Sequence, residues 1–501
     1  MLPDQREIMA RRKLFERIHL RFEIERALLR DVISYVPRPL YSRHLLMFVA
    51  STFLAALTTW WLLAHQPREV AFMSGIFVLA ALLWVTEALP LFATALVVIG
   101  LEIILLANPG GWSGFGFSEG TGPTYRQILS PLSDPILVLF LGGFILARAA
   151  VKEGVDRNLA AAVLRVFGTR PYMVTLGLML ITAVFSMFMS NTATTAMMIT
   201  LVSPLLLTIP NDDPLRKGLI LCIPFAANIG GMGTPIGSPP NAVAIGFLRS
   251  AGQNVSFLDW MIIAVPLALL LLLLSWFLLN RVYRTKVKTL SMAGEAKGLS
   301  KRGWFVVVVF CLTIFLWLSD QWHGLPTAVT ALLPIILFTA TNIIDRKDYN
   351  SLEWHILALI AGGIALGLGM ELTGLDELLV SLIPGSSIFV FIILIVATVL
   401  LSIFMSNTAA ANLIIPLGIS LAMADVSGSP TLMTIYGLSI ALASSTAMAL
   451  PISTPPNAIA YAKGGLETKD FIRMGGVVSL IAMLFIGLFG AEVIGFWLAR
   501  L

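Results

Sequence analysis

Charge is scarce in this sequence. Asp, Glu, Lys and Arg make up 12% of its 501 residues, about half the roughly 25% typical of soluble domains, so an ordinary soluble enzyme is excluded. The net charge of +5 points to no nucleic acid, because the positive residues cluster beside apolar segments, where membrane topology accounts for them. Cysteine is nearly absent. Cys222 and Cys311 both sit in apolar segments, which speaks against a disulfide framework. The five histidines, at 19, 44, 65, 323 and 355, form no metal-spacing pair, and no His-Glu-x-x-His occurs. The glycine-rich GGMGTPIG from Gly230 is no dinucleotide loop, since no strand–helix unit surrounds it. With no nucleophile, metal cluster or acid–base set in view, the chain does not read as an enzyme.

What is present in excess is apolar length. Hydrophobic residues make up 57% of the chain, and many runs approach the ~20 residues that cross a bilayer core as a helix. Examples are LLMFVASTFLAALTTWWLLA from Leu45 and VVSLIAMLFIGLFGAEVIGFWLA from Val477. The fold class is an all-α polytopic membrane protein. Residues 1–43 are charged throughout and hold no signal-peptide core. Their apolar positions (Met9, Leu14, Phe15, Ile18, Phe22) recur at helical spacing, which fits an amphipathic helix on the membrane surface or a solvated cytoplasmic helix. Ten Lys or Arg precede the first span, and seven more fall between Arg281 and Arg302 against the single acid Glu295. The positive-inside rule puts both segments in the cytoplasm, with an even number of crossings between them.

The chain also repeats itself. MSNTATTAMM from Met189 is echoed by MSNTAAANLI from Met405, and GTPIGSPPNAVAIG from Gly233 by LPISTPPNAIAYA from Leu450. Asn191 to Asn241 spans fifty residues, as does Asn407 to Asn457, and the offset between halves is 216 at both pairs. Two motifs in the same order at the same spacing signal an internal duplication. The expected organisation is a cytoplasmic segment 1–43, a leading span within 44–66, a first repeat 67–282, a basic linker 283–302 and a second repeat 303–501. Five spans per repeat give eleven in all. An odd count inserts the second copy upside down, the inverted arrangement of many secondary transporters, with the substrate site near the midplane. The C-terminus then lies outside.

Each Ser-Asn-Thr falls in the middle of an apolar stretch, 173–208 or 386–422, too long for one crossing. Two full crossings would put the tripeptide at a membrane surface. A re-entrant hairpin, the preferred reading, puts it at depth beside a cavity, where irregular backbone is tolerated. There the amide of Asn offers donors to a carboxylate and an oxygen to a cation, and the helix starting after the tip favours an anion. The Pro-Pro-Asn segments should break the fourth span of each repeat and free carbonyls suited to sodium. A lone Ser-Asn-Thr also reads as hydrogen-bonding glue between helices; two copies, each paired with a breaker, favour a site. Neither hairpin contains a charged residue from Tyr172 to Asn211 or from Ser386 to Met423, so a bound dianion would need co-bound cations to offset unpaired buried charge. Glu87 and Glu371 are candidate intramembrane acids or interfacial ones. A passive anion channel would need no cation ligands.

These paired motifs resemble the divalent anion:sodium symporter family, which includes bacterial dicarboxylate importers and mammalian sodium-coupled citrate and dicarboxylate transporters. The resemblance covers nearly the whole chain after about residue 44. It implies eleven spans plus two re-entrant hairpins, a homodimer and elevator-type alternating access in a cell (inner) membrane. It implies that Ser190, Asn191, Thr192, Ser406, Asn407 and Thr408 hold the two carboxylates, with Ser238, Thr454 and Pro455 lining the pocket. It further implies one sodium site from Ser186, Ser190, Asn191 and the Gly237 backbone, and a second from Ser402, Asn407 and the backbones of Met405 and Ser453. The expected function is sodium-coupled import of C4-dicarboxylates such as succinate, malate or fumarate. A sodium-independent exchanger, or citrate or sulfate as the anion, stays open.

Overall fold

The computed structural model describes residues 43–118, 120–290, 298–382, 388–424 and 430–500. The amphipathic segment expected over 1–43 therefore lies, but for its last residue, outside the described residues. Within them the chain is helical, and eight helices are long and apolar enough to cross a membrane. Each of the eleven expected spans corresponds to a helix or a broken helix. The leading span is Arg43–Leu62, with little of its surface buried against the rest of the chain. Arg68–Thr86 and Leu91–Glu102 follow, the latter running on into a π-helical turn, Ile103–Ala107.

The stretch expected to hold the first hairpin is two helices, Pro171–Phe188 and Asn191–Leu207, separated by a two-residue turn at Met189 and Ser190. The second hairpin is Ile388–Phe404 and Asn407–Ala424. Each broken span is likewise split: Leu215–Gly231 and Pro239–Ser250 in the first half, Pro430–Ser444 and Pro455–Ala462 in the second. Pro at the first helical position supplies the φ that a helix start needs and lacks only an N–H that would be unpaired there, so Pro239 and Pro455 restart the chain as helix. Several short elements were not anticipated, the longest of them beside the first hairpin. Val155–Val166 is an amphipathic helix carrying Asp156, Arg157 and Arg165, too polar to register as a span.

The halves interlock. The Pro239–Ser250 arm packs on both the second hairpin's Asn407–Ala424 and on Pro430–Ser444. Reciprocally, Pro455–Ala462 packs on the first hairpin's Asn191–Leu207 and on Leu215–Gly231. The basic linker is not a free tether at its start: Leu290 N donates to Thr169 O at 2.8 Å, and the Thr285 hydroxyl to Asp213 Oδ2 at 2.9 Å.

Small residues set the closest approaches, as is usual where helices associate without a hydrophobic driving force between them. The Trp354–Thr373 helix lies against Leu91–Glu102, and a Cβ on Gly362 would come within 2.7 Å of the Ala95 Cα and overlap the Ala95 methyl. Gly362→Ala is expected to cost about 1–3 kcal/mol by overpacking, seen as a lowered melting temperature in detergent. Gly100→Ala, whose methyl would meet nothing within 4 Å, is expected to leave it unchanged or higher.

An ion cluster ties the end of Pro135–Lys152 to the short Arg346–Asn350 helix. Arg148 reaches Asp348 Oδ1 at 2.8 Å, and Lys152 bridges Asp345, at 3.0 Å, and Asp348. Burial pushes the Asp348 carboxyl up, but its bonds to Lys152 and Arg148 outweigh this and hold it down at about 2. Because the folded value lies below the usual 3.8, this stabilisation is fully present above about pH 4 and is lost as pH falls towards 2. Unfolding measured between those limits should show a pH slope that shrinks in Asp348→Asn.

Candidate functional site

The two tips meet the two breaks. Ser190 caps the helix that follows it, its hydroxyl accepting from Ala193 N at 3.2 Å, and Ser406 does the same for Ala409 N at 3.4 Å. Apart from the one that each cap satisfies, the first N–H groups of each helix have no intrahelical partner, and no acidic residue occupies either first turn.

Behind the first tip, oxygens converge. Asn191 Oδ1 lies 2.5 Å from the Ser186 hydroxyl, which also stands 2.7 Å from Ala227 O. The same amide position is 3.2 Å from both Gly237 O and Ala227 O. Four oxygens thus share the one hydrogen of Ser186. Two arrangements resolve that: the amide turns, so that its nitrogen donates to Gly237 O and Ala227 O, or a small hard cation takes the centre. Gly231 makes the room, since a Cβ there would fall 2.8 Å from Asn191 Nδ2.

The second tip repeats the pattern. The Ser402 hydroxyl is 2.7 Å from Asn407 Oδ1 and 2.7 Å from Ser444 O. The Ser453 hydroxyl, standing where the first half has Gly237, donates to Ile403 O at 2.8 Å. The expected sodium ligands Ser186, Asn191 and Gly237 are therefore together, as are Ser402 and Asn407. Ser190 is not in the first cluster, because its hydroxyl donates to Glu353 Oε1 at 2.9 Å. Met405 N bonds back to Leu401 O at 2.9 Å. The donors gathered in both clusters are neutral oxygens.

The breaks free carbonyls as expected, but most are taken. Asn241 Nδ2 donates to Gly231 O at 2.9 Å and Thr234 O at 2.7 Å. Asn457 Nδ2 donates to Met448 O at 3.1 Å and Leu450 O at 2.9 Å. The Trp260 indole donates to Met232 O at 2.9 Å. The breaks also touch each other: Asn228 Nδ2 reaches Thr454 Oγ1 at 3.0 Å, and the Ser238 and Ser445 hydroxyls stand 3.4 Å apart. Ser238 and Thr454 thus join the halves at the crossing, Pro455 opens the helix beside them, and Thr192 and Thr408 follow the tips, half-buried and buried.

Several residues escaped the sequence reading. Ala227 and Ser444 contribute backbone oxygens, which no residue type announces. Asn228 is a lone amide in an apolar run and was a usable signal. Glu102 is fully buried with neither carboxylate oxygen hydrogen-bonded, a deeper acid than either candidate named from sequence. Glu87 is exposed at a helix end with φ +50, and Glu371 is exposed as well. The two breaks also differ in exposure, Ile236 being 6% exposed and its counterpart Ile452 75%.

Comparison with known proteins bears on this arrangement. A family model described as citrate transporter matches residues 81–436. The chain is 33% identical over 475 residues to a sodium-dependent dicarboxylate transporter, SdcS, of Staphylococcus saprophyticus, covering 85% of this chain and 87% of that one. It is 31% identical over 462 residues to an uncharacterized transporter of Haemophilus influenzae, covering 87% and 94%. An uncharacterized transporter of Schizosaccharomyces pombe is 32% identical over 450 residues, and the chain spans about 50% of its length. The solved structure of the Alcanivorax borkumensis YdaH transporter shares the fold, with a TM-score of 0.54 at 13% identity over 84% of this chain and 98% of that one.

Each breaker Asn holds two carbonyls in a dry interior, and leaving such a group unpaired costs about 1–3 kcal/mol. Asn241→Ala and Asn457→Ala are each expected to lower the melting temperature markedly, more than Asn254→Ala in the loop before Phe257–Val282, as read by thermal unfolding in detergent.

Proposed function

The chain belongs to the citrate transporter family, of the divalent anion:sodium symporter type, and from that premise we propose that it imports C4-dicarboxylates such as succinate, malate or fumarate, coupled to sodium. The observation that carries this is the oxygen cluster at Asn191 and its repetition at Asn407. In this reading each Asn is shared: its amide oxygen faces a sodium ion in the cluster, while its nitrogen faces a substrate carboxylate. Ser190 and Thr192 at one tip, and Ser406 and Thr408 at the other, complete the two carboxylate subsites, lined by Ser238, Thr454 and Pro455. Ser186 and Gly237 O, with Ala227 O, serve the first ion; Ser402, Met405 O, Ser444 O and Ser453 serve the second.

Charge makes the coupling useful. The hairpins carry no charged side chain from Tyr172 to Asn211 or from Ser386 to Met423, so the ions supply the counter-charge beside the dianion. Moving a dianion inward against about 100 mV costs about 4.6 kcal/mol, at ~2.3 per charge. Two sodium ions cancel this and a third drives uptake. The halves work as inverted repeats in a homodimer, with the N-terminus cytoplasmic, the C-terminus outside, and the hairpins and broken spans moving together as the elevator.

A second reading has one observation in its favour. With its amide turned, Asn191 satisfies the first cluster without an ion, as a sodium-independent exchanger would require. Radiolabelled succinate uptake into proteoliposomes separates the two. Symport predicts uptake into empty vesicles that requires an inward sodium gradient and falls at least about tenfold in Asn191→Ala and Asn407→Ala, the loss of one or two charge-assisted bonds. Sodium-indifferent uptake only into succinate-loaded vesicles would establish exchange. Unlabelled citrate or sulfate competing better than succinate would reassign the anion.

A further inference from the structure

The first tip already carries a carboxylate. Ser190 donates to Glu353 Oε1 at 2.9 Å, while Glu353 Oε2 is buried without a hydrogen-bond partner. Glu353 stands at the start of the Trp354–Thr373 helix, outside both hairpins. Together with Ser190, Met189, Phe144 and Arg148 it lines a cavity of about 170 Å³. Arg148 makes no ion pair with it; its Nη2 and Nε bind Asp348 Oδ1 at 2.8 and 3.0 Å. The carboxylate at the start of the Pro135–Lys152 helix, Asp134, is built differently: it caps Ile136 N at 2.8 Å and pairs with Arg249 at 3.0 Å. Among the described residues no salt bridge neutralises Glu353, and no carboxylate bonds Ser406 at the other tip.

A half-satisfied carboxylate bonded to a tip hydroxyl is the arrangement expected of a ligand that is meant to leave. We propose that Glu353 is a tethered competitor for the first carboxylate subsite: it occupies Ser190 in this conformation, holds the first tip against the neighbouring helices, and is displaced when an anionic substrate takes the same hydroxyl. The proposal rests on the dicarboxylate reading above and deepens it. Glu353 keeps the first subsite filled with negative charge until cargo arrives, which disfavours movement of the tip without cargo. It also sets the substrate's apparent affinity, because the tethered group must be displaced for each binding event.

The test is a double-mutant cycle in the full chain with succinate as the probe, read as half-saturation in sodium-driven uptake. Glu353→Gln keeps the shape and removes the charge, and should tighten half-saturation by about three- to tenfold, the difference between a charged and a neutral acceptor. Glu353→Asp keeps the charge but shortens the reach, and should tighten it too. On a Ser190→Ala background the Glu353→Gln effect should vanish. Equal tightening on both backgrounds, or no tightening, overturns the contact in favour of a general field or a structural role. A second measurement needs no substrate. Met189→Cys is made on a Cys311→Ser background, Met189 being buried beside the latch and Cys311 exposed. Its labelling by a small maleimide should be severalfold faster with Glu353→Gln, and an unchanged rate overturns the latch. Faster labelling in a chain that never takes up succinate would defeat the dicarboxylate reading while supporting a latch for another anion.

Discussion

A helix that stops inside a membrane must find partners for the backbone groups it releases, because no water is there to take them. Two of this chain's spans stop in this way, at 232–238 and 445–454, and each time an asparagine side chain reaches back across the gap and holds two carbonyls. Those two amides fix everything near them. They keep the breaks from collapsing into helix, they leave Gly237 O facing Asn191, and they hold Pro239 and Pro455 where the second arms begin. The same economy explains Trp260, an aromatic in the next span whose indole serves the first break rather than the lipid boundary.

The interlocking of halves follows from the same constraint. Neither broken span can bury its gap alone, so each borrows from the other half: Asn228 reaches Thr454, and Ser238 stands beside Ser445. Each hairpin then packs on its own half's first arm and the other half's second arm. A displacement of one tip is thereby felt at both breaks. The cation-type clusters are joined to the tips through single residues, Asn191 and Asn407, so whatever settles the amide orientation behind the tip also settles what the tip presents in front.

Spans and hairpins were legible in the sequence because long apolar runs leave few alternatives, and Ser-Asn-Thr inside such a run demands a reason. Pro-Pro-Asn was legible as a breaker that frees carbonyls, but not the use of its Asn, whose amide is spent on the backbone of the break. The difference is geometric: the restart at Pro239 turns Asn241 inward over the carbonyls just released, which spacing alone does not reveal. Ala227 and Ser444 were invisible because a carbonyl has no sequence identity. Glu353 went unremarked because nothing in the sequence marks it, and only its hydrogen bond to Ser190, 163 positions away, sets it apart. The amphipathic Val155–Val166 helix was missed because a search for spans discards charged segments.

Ile236 and Ile452 hold matching places in the two breaks, yet one is sealed and the other open. The two breaks answer to each other in sequence, yet the fold covers one and leaves the other accessible. An apolar inhibitor has a hold on Ile452 that Ile236 does not offer, so two stretches that match in sequence are different pharmacological targets.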